Sequence, residues 1–90
     1  MKTLEQAWDI IENVNSEAYR MAYDLWLEAD AAIDDENEEE LREEASEEQQ
    51  AYFRDEYDNL DDESKEVIQY WLKNDADFKE QFETYYGEEL

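Results

Sequence analysis

Apolar side chains recur along this chain at three- and four-residue intervals, the period of one face of an α-helix. Leu4, Ala7, Trp8, Ile11 and Val14 trace the first such stripe and predict a helix from about Leu4 to Val14. Thr3 and Gln6 stand ahead of it in capping-box spacing, the hydroxyl accepting from a first-turn amide and the side-chain amide reaching back. Asn15 and Ser16 then interrupt the stripe, and Ser16 is the expected N-cap of a second helix from Glu17 to Ile33. Ala18, Met21, Ala22, Leu25, Ala29 and Ile33 form its main stripe, widened by Tyr19, Tyr23 and Trp26. A helix apolar around most of its girth is normally enclosed by others, so this segment is expected at the centre of the fold.

The pattern changes at Asp34. Asp34, Asp35, Glu36, Glu38, Glu39, Glu40, Glu43, Glu44, Glu47 and Glu48 follow within a stretch that holds one opposing charge, Arg42. Leu41 and Ala45, four apart, are placed to tack this stretch onto the body, and a third helix is predicted from near Asn37 through Tyr52, Phe53 and Tyr57. Asn59 to Asp62 reads as a turn, with Leu60 as a plug beside it. A fourth helix from about Glu63 to Lys73 should bury Val67, Ile68, Trp71 and Leu72. Asn74 or Asp75 should cap a fifth, with Phe78, Phe82 and Tyr85 on one stripe and Gly87 at a left-handed C-cap.

The expected fold is therefore all-α: a small bundle of about five short helices, one domain over residues 1–90, with a strongly acidic surface. One glycine and no proline suit helices joined by short polar links. Hydrophobic residues at 41% and aromatics at 14% separate the chain from an acidic disordered tail, and Trp8, Trp26, Trp71, Phe53, Phe78 and Phe82 are assigned to the core. Thirty Asp and Glu against seven Lys and Arg give a formal net charge of −23. Solubility alone asks for a magnitude of about 2 to 8 in a small domain, and self-repulsion works against the compact state.

The absence of cysteine removes disulfides and thiolate metal sites, and the absence of histidine removes Ser–His and Cys–His nucleophilic catalysis. Ser16, Ser46 and Ser64 are then caps or surface residues. Phosphate-binding loops need several glycines. Asp34 to Glu40 lacks the sixth-position glycine and alternating ligands of an EF-hand, so no dedicated metal site and no cofactor are expected. No run reaches the roughly 18 to 20 apolar residues of a membrane span, and the N-terminus lacks the apolar stretch of a signal peptide. The reading is a cytoplasmic protein without enzyme activity.

A charge run usually means a solvated face of alternating Glu and Lys. Here the lysines are missing, and like charges at i, i+4 destabilise a helix by roughly 0.2 to 0.5 kcal/mol per pair. Such side chains stand about 5 to 6 Å apart at Cβ, close to the spacing of successive phosphates on a DNA strand. A groove lined with Lys and Arg would accept them. Asp34, Asp35, Glu36, Glu38, Glu39, Glu40, Glu43, Glu44, Glu47 and Glu48 are the expected contact residues, extended around the following turn by Asp55, Asp58, Asp61 and Asp62. Tyr52, Tyr70 and Tyr86 either serve as contacts or line the core edge.

In size, helicity, acidity and aromatic core the chain resembles the DNA-mimic inhibitors of phages and mobile elements, the Ocr-type and ArdA-type antirestriction proteins and the acidic anti-CRISPR proteins. The segment Ala18-Tyr19-Arg20-Met21-Ala22-Tyr23-Asp24-Leu25-Trp26 has the flavour of an Ocr-like helix. The resemblance implies that the partner is a basic DNA-binding protein, a restriction enzyme or CRISPR effector, in the cell of a bacterial host. Nucleic acid and anionic membrane are both repelled by the same charge. Self-association into a homodimer stays open. Two rival readings remain. One is an immunity protein or antitoxin that neutralises a basic nuclease, where Tyr85-Tyr86 resembles a known contact pair. The other is an acidic chaperone of a basic protein, against which counts the spread of acid through every helix.

Overall fold

In the computed structural model the described residues are 3–31 and 36–89, all of whose regular structure is helical. Four helices are present: α1 (Leu4–Ala31), α2 (Glu38–Asp58), α3 (Asp62–Asn74) and α4 (Ala76–Tyr86). Ile33, Asp34 and Asp35, to which the sequence assigned a core role and two contact roles, lie outside the described residues.

The expected break at Asn15 and Ser16 does not occur, and the first two expected helices are one helix of 28 residues. Asn and Ser in a helix interior cost at most about 0.7 kcal/mol each. Burial of Val14 and Ala18 on either side outweighs that, because Ala7, Ile11, Val14, Ala18, Ala22 and Ala29 keep a single buried stripe across the junction. Asn15 also finds a partner away from its own backbone, its Oδ1 accepting from Gln49 Nε2 at 3.1 Å. Ser16 is exposed within the helix and caps nothing.

Other boundaries follow local chemistry. Thr3 Oγ1 accepts the Gln6 amide at 3.1 Å, the first half of the expected capping box. Asp61 Oδ1 accepts from the Ser64 amide at 2.9 Å to start α3, and Asp75 Oδ1 accepts from the Phe78 amide at 2.9 Å to start α4. Gly87 ends α4 at φ 85°, its amide donating to the Glu83 carbonyl at 2.8 Å. A Cβ at Gly87 would stand 2.7 Å from the Gln50 side chain, so both the backbone and the neighbour favour glycine.

The core is placed unevenly. Ala7, Ile11, Val14 and Ala18 of α1 meet Phe53 of α2, Val67 and Ile68 of α3, and Phe78 and Phe82 of α4. Phe53 and Phe82 meet edge to face at 5.6 Å, Trp8 and Phe78 at 5.2 Å, and Tyr57 and Phe82 at 5.2 Å. This four-helix end is the head. Beyond it, the second half of α1 and the first half of α2 run on as a two-helix arm, antiparallel because a short link joins their ends and Arg42 reaches Asp30 beside it at 3.2 Å. The whole measures 48 × 22 × 18 Å.

The arm overturns a further expectation. The segment assigned to the centre of the fold is its most exposed apolar part: Tyr19, Met21, Tyr23, Leu25 and Leu27 are all exposed. Among the described residues of the arm only alanines, Ala22, Ala29 and Ala45, are fully buried. The central element is instead the first half of α1. The three tryptophans are half-buried, Trp8 and Trp71 against the head core and Trp26 in the arm, where its Nε1 donates to Gln49 Oε1 at 3.0 Å, while the three phenylalanines are fully buried as expected. Leu41 is half-buried against α1, and Leu60 packs on the head core.

Candidate partner-binding surface

The register of α2 is set by what it buries. Ala45 and Phe53 point into the molecule, and at 3.6 residues per turn the opposite third of the helix carries Glu40, Glu43, Glu44, Glu47, Asp55 and Asp58. All six are exposed. From Glu40 to Asp58 the helix rises about 27 Å, at 1.5 Å per residue. Ala51 and Arg54 share this sector and interrupt it.

The remaining expected contacts are distributed around it. Glu36, at the turn before α2, and Glu38 and Glu39, in its first turn, are exposed, and a carboxylate there suits the positive end of the helix dipole. Glu38 is turned toward α1, pairing with Arg42 at 3.4 Å. Glu48 is half-buried. Asp61 and Asp62 are exposed where α3 begins. Asp61 is committed locally as the N-cap. Its hydrogen bond from Ser64 holds the carboxyl below its usual value of 3.8.

Among the described residues five basic side chains are held by other groups. Arg42 bridges Asp30 and Glu38, Arg20 pairs with Glu17, and Lys79 pairs with Glu83 at 3.8 Å. The Arg54 guanidinium donates to the Tyr86 carbonyl at 2.7 Å and lies over the Tyr86 ring, while Lys65 donates to the Asp58 carbonyl at 2.8 Å. Among the described residues no ion pair reaches Glu40, Glu43, Glu44, Glu47 or Asp55.

The tyrosines divide. Tyr85 and Tyr86 are half-buried and pack on Phe53, with ring centroids 5.6 and 6.5 Å away, and Tyr86 stacks on Phe82 at 5.5 Å. Tyr52 packs against the same core, and burial raises the Tyr57 hydroxyl pKa above its usual value against the opposing hydrogen bond with Gln69. Tyr70 is exposed and meets Trp71 edge to face at 5.0 Å. The exposed apolar residues of the arm were not foreseen as surface. Periodicity shows that a face is apolar and leaves open whether another element covers it.

Among the described residues, no helix is long and apolar enough to cross a membrane, and no three carboxylates gather as metal ligands. The carboxylate row can act on charge at a distance, but it forms no enclosed cleft. Comparison with protein-family models, with curated proteins and with solved structures found no match.

Proposed function

We propose that this chain is a DNA mimic that occupies the basic DNA-binding groove of a host-defence nuclease, a restriction enzyme or CRISPR effector, without enzyme activity of its own. One observation carries the reading. Six exposed carboxylates lie on one third of α2 over about 27 Å, and among the described residues no ion pair reaches five of them, Glu40, Glu43, Glu44, Glu47 and Asp55. At about 3.4 Å of rise per phosphate, that length corresponds to roughly eight steps of one DNA strand. A groove built for phosphates would gain steered association and release of its bound anions on meeting this face. The self-repulsion of a −23 chain is relieved in the same step.

The test reverses the row. Glu40, Glu43, Glu44 and Glu47 changed together to lysine should weaken binding to the target nuclease on the order of 100-fold, with helicity retained because all four are exposed. Reversal of Glu80 and Glu83 on α4 should cost much less. Inhibition should be competitive with DNA and fall as salt is raised. Equal loss from the α4 pair would move the site off α2. Inhibition of a nuclease that still holds its DNA would end the mimic reading in favour of an immunity protein.

A further inference from the structure

The arm carries a hollow that borders the carboxylate row at Glu44. Leu25 and Ala29 of α1 and Leu41 and Ala45 of α2 form its apolar floor, and Glu28 and Glu44 complete its lining, one from each helix. Its volume is about 230 Å³. That is below the roughly 300–1,000 Å³ of a small-molecule site and suited to one or two apolar side chains. Leu25 is 38% exposed, and Met21, one turn earlier on the same side of α1, is 39% exposed. Leucine and methionine left open to water beside a hollow are an unfilled contact, since the alanines beneath them give the two helices little else to bury.

We propose that this groove seats an apolar side chain from a basic amphipathic segment of the partner, with that segment's Lys or Arg one turn away meeting Glu28 and Glu44. The inference rests on the reading of the chain as a binder of basic proteins and adds an apolar anchor to it. Charge decides the occupant. A second copy of this chain would bring another −23 and set carboxylate against carboxylate across the contact. A cationic helix with leucine-like residues at i, i+3 and i+4 satisfies floor and rim together. The groove and the row then have different physics: the row weakens with salt, while the apolar anchor does not.

Two probes separate the contributions: an amphipathic leucine–lysine helical peptide and an oligolysine of equal charge, each titrated with the full chain by fluorescence anisotropy. At high salt the amphipathic peptide should bind roughly 10-fold tighter or more. Leu25→Gln with Leu41→Gln should abolish that advantage, whereas Tyr19→Gln with Tyr23→Gln, outside the groove, should preserve it. Glu28→Gln, on the rim but outside the row, should weaken the amphipathic peptide more than the oligolysine at low salt, which covers the case in which the leucine variants unfold. Equal binding of the two peptides at high salt overturns the groove. So does self-association in sedimentation that Leu25→Gln abolishes, which assigns the face to a second copy. If the groove fails while reversal of Glu40, Glu43 and Glu47, none of which lines it, still releases the nuclease, DNA mimicry stands without it. If the peptide binds in the groove and no basic nuclease is inhibited, mimicry falls and the groove survives.

Discussion

At one end of this molecule four helices close over Phe53, Phe78 and Phe82; at the other, two helices meet through Ala22, Ala29 and Ala45. The same helix, α1, serves both ends, and its apolar content is no lower in the arm than in the head. What differs is the size of the residues at the buried positions and the number of neighbours. Large side chains enclosed by three neighbours each contribute about 1.5 to 3 kcal/mol of burial, whereas alanine contributes little beyond close approach of the backbones. The head therefore supplies the stability and the arm supplies surface. Apolar content alone would have ranked them the other way.

That contrast is most directly attacked in the head. Phe53→Ala should cost about 3–5 kcal/mol in urea denaturation, because Phe53 is fully buried between Phe82, Tyr85 and Tyr86. Loss of helical signal from the arm in the same transition would show that the arm depends on the head.

In the arm the expected effects are smaller. Ala45→Gly should cost about 1 kcal/mol. Amides of residues 22–29 should exchange with deuterium faster than those of residues 7–14, and added salt should slow the arm more than the head by screening the carboxylates of α2. Equal protection at both ends would break the distinction between them.

The smallest effect belongs to a cap. The Asp61 carboxyl is held below its usual value of 3.8 by the hydrogen bonds from Ser64, so its contribution to stability is fully present above that value. It is lost as pH falls through the lower folded-state value. Asp61→Ala should thus be destabilising near neutral pH, with the difference from the parent closing in strong acid, as read from thermal melts across pH. A difference independent of pH would mean that the carboxylate is not the stabilising species.

Much of the head was legible because its signals are local and agree with one another. Phe78 and Phe82 fall on a stripe that Asp75 opens and Gly87 closes, and each of those residues does what its type does in any helix. The junction at Asn15 and Ser16 misled because their helix penalties are small beside the burial of Val14 and Ala18, and nothing local announces the distant partner, Gln49. The arm misled for the opposite reason. Met21 and Leu25, and Tyr19 and Tyr23 beside them, recur at intervals of four like any core stripe, and whether a neighbour covers them depends on where α3 and α4 lie. The acidic row, by contrast, could be placed from sequence once Ala45 and Phe53 fixed the inward side of α2.

On the DNA-mimic proposal, the 48 Å long axis would make the chain a ruler as well as a charge pattern. Measured in duplex rise of about 3.4 Å per step, it spans roughly fourteen base pairs, more than the 34–36 Å of one full turn. A protein whose channel grips less than one turn would hold the head or the arm, but not both. One whose channel is longer would take the whole chain and still have room for DNA beside it. On that proposal length would sort targets before any side chain is read, and trimming or extending the arm by whole helical turns would shift which of them the chain could fill.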